Sequence, residues 1–408
     1  MKRHTAIAVV TLIVSLSTGC FFEAVYLSGA PDGTILVSAE GALVEVTPDL
    51  SKARLVADGV ARAEVSPDGK SLLCIFYRDL NVGQHLDIAI CNREAKVITP
   101  LGGADVSVGD YMPHGMIVPR WSPDGKFVSH LLPNPHNSDF TDLHVRDAQG
   151  TFDFVIPKVS SGYAWSPDSK EIAVISTASD DPDQMSLGSV STWTVNDRAK
   201  TREPVGVFFY GYQSMAWTAT NNLLFSAYVL NLPFLSAGPS EVPLQIFRLD
   251  LNTMDKLEPV LDEHGLSSEM AGLFGLSADE KSLAYIVWSS SSDLTGGLYV
   301  SSVDGTPPKK VLDESEFRSA PRWLGNDRVG VVTVEKQEGG GEIAHVLIID
   351  EGGKTTDIWP LVEPVAKKAE ADREARAREE EEQKQAAEPV KEFPSTSSTI
   401  QGTEATGK

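Results

Sequence analysis

The chain has 408 residues, 41% of them hydrophobic, which is enough for one large or two ordinary domains with buried cores. Its formal net charge of −22 repels phosphate backbones, which argues against nucleic-acid binding. Three cysteines are too few for a disulfide framework or a cysteine metal cage. We therefore expect a folded, acidic protein without a metal or cofactor.

The first 20 residues have the three parts of a secretory signal. Lys2 and Arg3 give the positive start, residues 6–16 form a short apolar run, and small residues follow. This run is shorter than the roughly 20 apolar residues that a bilayer-spanning helix needs. Secretion is therefore predicted, and an uncleaved membrane anchor is the alternative.

The residues after the apolar run, LSTGC at 16–20, resemble the lipobox of bacterial lipoproteins. In that family the cysteine thiol receives a diacylglyceryl group, the chain is cut before it, and the new amine is acylated. The leucine lies one place further from Cys20 than in the family's pattern, and ordinary secretion with Cys20 lost or free is the alternative. The resemblance implies a signal peptide over 1–19 and a lipidated amino terminus over 20–23. Because Phe21 follows the cysteine, it also favours the outer membrane, facing the periplasm or the cell surface.

A tryptophan-and-turn motif recurs along the body of the chain. Its clearest copies read SPDGK at 66–70, WSPDGK at 121–126 and WSPDSK at 165–170. Looser copies and one short first copy, APDG at 30–33, complete the series, and copies from residue 66 onwards are 44 to 59 residues apart. The residues that we single out as structural turn positions are Pro67, Asp68, Gly69, Trp121, Pro123, Asp124, Gly125, Trp165, Pro167, Asp168, Trp217, Asp279 and Trp323.

The motif has the chemistry of a tight turn between strands. Proline fixes φ near −65°, the Asp side chain bonds nearby amides, and Gly accepts a positive φ. Short β-branched or aromatic runs follow the turns, and they lie at 71–77, 127–132, 171–176, 222–228, 282–288 and 328–334. A second run follows each of them, at 86–91, 142–146, 191–195, 244–249, 297–303 and 345–350. Such intervals hold about four strands, the content of one propeller blade. An array of immunoglobulin-like sandwiches is the alternative.

These copies resemble the TolB-type β-propeller repeat, a WD40-like repeat with a Pro-Asp turn, over about residues 24–360. The resemblance implies an all-β propeller. Seven strands enter the turns, so we expect seven blades; six is the alternative if the first short copy completes the last blade. TolB itself has an additional amino-terminal domain, so its partners cannot be transferred to this chain.

The composition changes after residue 360. Residues 361–388 are rich in Ala, Glu, Lys and Arg and contain no heptad seam, while residues 389–408 are polar. For 361–408 we expect a charged, solvated helix and then a disordered segment.

Two cysteines lie inside one predicted hairpin. If its loop is centred near residue 82, Cys74 and Cys91 face each other across adjacent strands. A disulfide in an oxidising periplasm is one interpretation, and two buried, reduced cysteines are the other.

Catalytic motifs are absent from the sequence: there is no nucleophile elbow, zinc-binding His-Glu-x-x-His, phosphate loop or Cys-x-x-Cys pair. His130, His136 and His144 lie close together in sequence, with His114 upstream, but their spacing matches no ligand motif. We expect them to be strand and loop histidines. An acidic loop with the side chains of calcium ligands is likewise expected to be solvated, and it contains Asp180, Asp181 and Asp183.

The sequence therefore predicts a membrane-anchored envelope lipoprotein whose propeller binds a protein, or a glycan, without catalysis. The alternative is a propeller enzyme, a metal-dependent lyase or hydrolase with a site at the central axis. A structural part of an envelope assembly is a third hypothesis. A prolyl-peptidase arrangement is not expected, because the residues after 360 are too few and too polar to form a hydrolase domain.

Overall fold

The computed structural model describes residues 25–79, 84–106, 119–134, 137–177, 187–202, 205–208, 214–227, 245–253, 257–260, 270–288, 295–303, 307–337 and 341–387. In these residues the chain forms antiparallel strands and one carboxy-terminal helix. Residues 1–24, which include the predicted signal peptide and Cys20, lie outside the described part.

The strands form successive antiparallel meanders, which we number in chain order. Meander 1 contains β1 (Val25–Gly29), β2 (Ile35–Ala39), β3 (Ala42–Val46) and β4 (Ala53–Asp58). Meander 2 contains β5 (Val60–Val65), β6 (Ser71–Asp79), β7 (Gln84–Asn92) and β8 (Val97–Val106). Meander 3 contains β9 (Arg120–Trp121), β10 (Phe127–Asn134), β11 (Asn137–Asp147) and β12 (Asp153–Ile156). Meander 4 contains β13 (Val159–Trp165), β14 (Glu171–Thr177), β15 (Leu187–Thr194), β16 (Ala199–Lys200) and β17 (Val205–Phe208).

Three further meanders follow. Meander 5 contains β18 (Met215–Trp217), β19 (Asn222–Ala227), β20 (Gln245–Asp250) and β21 (Leu257–Pro259). Meander 6 contains β22 (Met270–Leu276), β23 (Ser282–Trp288), β24 (Thr295–Ser302) and β25 (Lys309–Phe317). Meander 7 contains β26 (Arg322–Trp323), β27 (Arg328–Lys336), β28 (Glu342–Asp350) and β29 (Thr355–Asp357). The end of β25 also pairs with β27, so meanders 6 and 7 form one continuous sheet.

Each pair of consecutive meanders encloses its own apolar core. The described residues contain seven buried apolar clusters, and every cluster draws its side chains from two consecutive meanders. The seventh cluster joins Val25 and Leu27 of meander 1 to Leu324 and Val332 of meander 7. The meanders therefore close into a ring, because a linear array would leave its first and last sheets uncovered. This is the arrangement of a β-propeller.

The central strands are apolar along their whole length because both faces of each sheet are covered. All five side chains of β2 are buried, and six of the seven side chains of β23 are buried. The first strands contact one another between meanders: β1 contacts β5 and β26, and β18 contacts β13 and β22. The first strand of each meander therefore lies at the inside of the ring.

Ring closure also uses polar and close backbone contacts. The guanidinium of Arg328 donates to the carbonyl oxygens of Gly33 and Pro48, at 2.9 and 3.0 Å. A Cβ atom on Gly29 would lie 2.9 Å from the Cα of Leu324, so only glycine permits this approach. The six-bladed alternative requires the first strands to extend meander 7. Among the described residues, β1 to β4 instead pair only with one another.

The helix α1 (Trp359–Ala387) begins against the ring. The Asp357 carboxylate accepts a hydrogen bond from the Trp359 amide, at 2.9 Å, as an N-terminal cap does. Val362, Ala366 and Ala369 are buried in the core between meanders 7 and 1. The prediction of a solvated helix is therefore wrong for its first three turns, because their small apolar side chains recur on one face.

The chain divides into two compact units, Met1–Glu370 and Ala371–Lys408. In its described part, the second unit is a helical segment of mostly exposed side chains that ends at Ala387. Within the described ranges, no helix has the combination of length and hydropathy that crossing a membrane requires.

Candidate functional site

The repeated motif forms the same turn in each clear copy. In the copy at 66–70, Ser66 Oγ donates to Asp68 Oδ1 at 2.7 Å, and the same carboxylate oxygen accepts from the Lys70 amide at 3.1 Å. Equivalent serine–aspartate bonds, of 2.7 to 2.8 Å, link Ser122 to Asp124, Ser166 to Asp168, and Ser277 to Asp279. The residues that follow the aspartates adopt a positive φ, and they are Gly69, Gly125, Ser169 and Glu280. The predicted turn aspartates and glycines therefore lie in turns that the side chains themselves close.

Turns of neighbouring meanders also contact each other. The Asp124 amide donates to Ser169 Oγ at 3.0 Å, and the Asp279 amide donates to Asn326 Oδ1 at 2.9 Å. The Ala219 amide donates to the carboxylate of Glu280. The side chain of one turn thus satisfies a backbone donor of the preceding turn, which fixes the spacing of the meanders.

Three of the repeat tryptophans join meanders. The indole N–H of Trp121 donates to the Glu64 carbonyl oxygen at 3.2 Å, and that of Trp323 donates to the Gly275 carbonyl oxygen at 3.0 Å. Trp165 donates to Ser129 Oγ at 2.8 Å, again in the preceding meander. Trp217 instead donates to Asn221 in its own turn, at 3.1 Å.

The turns of meanders 2 and 3 border a surface cavity of about 500 Å³. Pro67 and Pro123 line this cavity together with Trp121, and Ile98 of β8, which is 61% exposed, forms part of its rim. Beyond the turn itself, these repeat residues therefore also shape the outer surface.

A polar group of side chains, which we call the axial cluster, lies on the first strands at the inside of the ring. Its members are Tyr26 of β1, Arg62 and Glu64 of β5, Arg120 of β9, Tyr163 of β13 and Arg322 of β26. None of these six residues is among the site residues predicted from the sequence. A signal was present: Glu64, Arg120 and Arg322 each stand two places before the residue that opens a repeat turn. The corresponding positions in meanders 4 to 6 hold Ala164, Ala216 and Gly275.

The contacts of the axial cluster connect meanders 1, 2 and 7. The Tyr26 hydroxyl donates to Glu64 Oε2 at 2.6 Å, and Arg322 Nη1 lies 3.7 Å from the same oxygen. The Arg322 and Arg62 guanidinium carbons lie 4.0 and 5.3 Å from the centre of the Tyr26 ring. These distances are those of cation–π contacts, so Tyr26 holds two cations as well as the carboxylate.

The cluster extends to meander 4 through Tyr163. The guanidinium carbon of Arg120 lies 5.3 Å from the Tyr163 ring centre, and the Tyr163 hydroxyl donates to the Ser129 carbonyl oxygen at 3.2 Å. Burial raises the pKa of Tyr163 to about 12, while Arg120 and Arg322 act in the opposite direction. The contact between Arg120 and Tyr163 therefore connects the first strands of meanders 3 and 4.

Burial also sets the protonation of the pair at the centre. It raises the pKa of Tyr26, so this phenol keeps its proton and donates a hydrogen bond to the Glu64 carboxylate. Burial raises the pKa of Glu64 too, against the influence of Arg322, Tyr26 and Arg120, which lower it. About a quarter of the Glu64 and Arg322 side chains, 27% and 25%, remains exposed. The cluster therefore has the donors for an anion and is accessible to one.

The candidate histidine site is only partly described. His130 and His144 pair across β10 and β11, with ring centres 5.6 Å apart and nearly parallel planes. His130 is fully buried, and neither of its ring nitrogens has a hydrogen-bond partner among the described residues. Burial, His144 and Arg146 lower the pKa of His130 well below its usual value. His114 and His136 lie outside the described residues.

No group of three His, Cys, Asp or Glu side chains in the described ranges is arranged to hold a metal ion. The acidic loop with Asp180, Asp181 and Asp183 lies outside these ranges.

Cys74 and Cys91 do not face each other as predicted. Because β6 and β7 extend to Asp79 and Gln84, the hairpin is centred one residue earlier, and Cys74 lies opposite Ala89. The two thiols are free, lie diagonally on one face, and are buried in the core between meanders 1 and 2. The neighbouring Cys91 thiol and burial raise the pKa of Cys74.

No protein-family model matches the chain, and no curated protein matches it significantly. Solved structures do match. The acylaminoacyl peptidase of Pyrococcus horikoshii is 13% identical with a TM-score of 0.52, and the match covers 82% of this chain and 52% of that protein. TolB from Acinetobacter baumannii is 13% identical with a TM-score of 0.47, over 81% of this chain and 77% of that one.

The β-propeller domain of the Trilobed protease from Pyrococcus furiosus is also similar, at 10% identity and a TM-score of 0.39, over 73% of this chain and 97% of that domain. The ring of meanders confirms the predicted β-propeller fold. At such low identities, the similarities to solved structures concern the fold alone.

Proposed function

We propose that this protein is a lipid-anchored binding module of the bacterial cell envelope, and that its propeller presents the axial cluster to a protein partner. The observation that carries the proposal is the convergence of six polar and aromatic side chains from five meanders on the inside of the ring. Charged groups with buried stems are costly in a purely structural core, whereas a binding site uses them to orient a ligand.

The anchor in this proposal comes from the sequence. Cys20 would carry the lipid, and the outer membrane would be the location, with the propeller facing the periplasm or the cell surface. A Cys20→Ser variant is expected to appear in the soluble fraction or to keep its signal peptide, since the acyl chains supply membrane affinity. Continued membrane retention of a processed variant would refute the anchor and leave the binding role untouched.

Crosslinking in intact cells tests the binding role. A partner crosslinked to the wild-type chain is expected to be lost from Arg120→Gln, which alters the axial cluster. It is expected to remain with Arg54→Gln, a matched change at an exposed ion pair with Glu45 on the outer strand β4. Equal recovery of the partner with both variants would show that the axis is not the binding site.

An enzymatic role, as a metal-dependent lyase or hydrolase, is the second candidate, and the stacked pair of His130 and His144 is the observation in its favour. Metal analysis of the purified full-length protein separates the two roles. A stoichiometric transition metal that is lost from His144→Ala would favour the enzyme. Metal-free protein that still binds its partner would favour the binding module.

A further inference from the structure

Arg120 is the member of the axial cluster with the fewest partners. Among the described residues its guanidinium makes no hydrogen bond and no ion pair within 4.0 Å, and its contact is the face of the Tyr163 ring. A guanidinium presents five N–H donors in a planar fork that matches a carboxylate. Arg120 is only partly exposed, so water satisfies these donors less freely than at an open surface.

Glu64 lies on the strand beside Arg120, since its carbonyl oxygen accepts a hydrogen bond from the indole of the next residue, Trp121, at 3.2 Å. Its Oε2 accepts from Tyr26 and lies 3.7 Å from Arg322, while Arg120 is near enough to lower the pKa of the same carboxyl group. The chain itself therefore supplies one carboxylate that contacts Arg322 and lies on the strand beside Arg120. The bond to Tyr26 does not depend on either arginine, so Glu64 can keep a partner if another anion takes its place.

The charge of the cluster favours an anion. Three arginines and one glutamate leave two positive charges at the inside of the ring, although the whole chain carries −22. Exposed acidic groups more than about 10 Å away are screened at physiological ionic strength, so the local arginines dominate the interaction. The small residues Ala164, Ala216 and Gly275 at the corresponding positions of meanders 4 to 6 add no opposing charge.

We propose that the axial cluster binds a carboxylate group, with Arg120 and Arg322 as donors and with Glu64 as an internal carboxylate that the ligand displaces from Arg322. This inference deepens the proposed function and rests on the axis being the binding site. An acidic side chain of a partner and a free small carboxylate offer the same chemistry, so the test includes both.

Isothermal titration of the full chain, purified in detergent, against four probes tests the proposal. The probes are a tetraglutamate peptide, glutarate, a tetralysine peptide and inorganic phosphate. The wild type is expected to bind at least one carboxylate probe, more weakly as salt is raised, and not to bind tetralysine. Tighter binding of tetraglutamate than of glutarate assigns the ligand to a peptide, and the reverse order assigns it to a free carboxylate.

Three variants test the assigned residues. Arg120→Gln is expected to weaken carboxylate binding about tenfold, because a charge-assisted hydrogen-bond donor is lost. Arg120→Lys keeps the charge without the planar fork and is expected to lie between Arg120→Gln and the wild type. Glu64→Gln keeps an acceptor for Tyr26 but removes the internal competitor, so it is expected to bind carboxylate several-fold more tightly. Arg54→Gln is the control and is expected to match the wild type.

Failure of both carboxylate probes to bind would overturn the proposal, as would phosphate binding more tightly than either. Unchanged binding in Arg120→Gln would overturn the role of Arg120, and weaker binding in Glu64→Gln would overturn the displacement. If these titrations fail while the crosslinked partner still depends on Arg120, the carboxylate assignment is wrong and the proposed binding role stands.

Discussion

Polar side chains have two roles in this ring: some close the turns, and others join meanders at the axis. The repeat motif accounts only for those that close the turns. The recurring turn residues, such as Asp68 and Asp124, accept hydrogen bonds from the serine and a backbone amide of their own turn. The axial residues Glu64, Arg120 and Arg322 make their contacts between meanders instead. The residues that are prominent in the sequence are therefore structural here, and the axial residues stand two positions before the residue that opens each turn.

We expect His130 to make the free energy of unfolding fall at acidic pH. Burial, His144 and Arg146 lower the pKa of this histidine in the folded state, whereas the unfolded chain has the usual value near 6.5. The folded state therefore resists protonation, so the stability associated with neutral His130 is present above about pH 6.5 and is lost as the pH falls below it. Between pH 6.5 and 5 the wild type is expected to lose about 1 to 2 kcal/mol more than His130→Leu in urea unfolding.

The matched control for this experiment is Leu132→Ala, on the same face of β10. It removes buried apolar volume without a titratable group, so it should lower stability by the same amount at every pH in this range. A wild-type protein whose acid sensitivity is unaltered by His130→Leu would show that His130 is not responsible.

Replacing a repeat tryptophan by phenylalanine is expected to lower stability by different amounts at different positions. Trp121→Phe leaves the Glu64 carbonyl oxygen without its indole donor and is expected to cost about 1 kcal/mol more than Trp217→Phe. The reason is that Asn221 Oδ1, the acceptor for Trp217, belongs to a partly exposed side chain of a surface turn, where water can replace the indole donor. Equal losses in urea unfolding would contradict a joining role for the Trp121 indole.

At the scale of elements, the sequence identifies the second and third strand of most meanders. Runs such as 71–77 and 282–288 are continuous and apolar because the sheets are covered on both faces, and they correspond to β6 and β23. The outer strands are not recognisable in this way. In β4, six residues include only part-buried or exposed side chains, and β12 alternates between exposed and buried positions over four residues.

The repeat marks the positions of three axial residues, but no local pattern shows that their side chains meet. Tyr26 and Arg322 lie in the first and the last meander, and only ring closure brings them within contact distance. The disulfide interpretation depended on a hairpin register, and a hairpin centred one residue earlier placed Cys74 opposite Ala89. Contacts between residues far apart in sequence form only in the assembled ring. Exact strand registers likewise cannot be obtained from one segment alone.

The first turns of α1 are predicted to be part of the folded ring. Removal of the chain after Glu370 is expected to leave the free energy of unfolding unchanged, because the residues removed belong to the second compact unit. Removal after Ile358 deletes Trp359, Val362, Ala366 and Ala369 from the core and is expected to cost about 4 kcal/mol. Urea unfolding of both truncated chains measures the difference.

A point variant keeps this prediction testable if the shorter chain does not fold. Val362→Ala removes two methyl groups from the same core and is expected to cost about 2 kcal/mol. No effect of Val362→Ala would mean that the helix does not pack against meander 1 in solution.

For the whole molecule, the count of meanders and the closure of the ring decide whether an axial site exists. Each sheet has an apolar core on both sides, including the core between the last meander and the first. The seven-bladed interpretation that we propose depends on this closure, and so does the approach of Arg322 to Tyr26 and Glu64.

Intramolecular crosslinking between turns tests the closure most directly. In a Cys20→Ser chain, Asp32→Cys in meander 1 is paired either with Asp327→Cys in meander 7 or with Ala278→Cys in meander 6, and each pair is treated with a short bismaleimide. A closed ring predicts that the pair at 32 and 327 crosslinks more efficiently than the pair at 32 and 278, since meander 7 is the neighbour of meander 1. A linear arrangement places meander 6 nearer, so the opposite order of efficiencies would contradict the ring and the axial site with it.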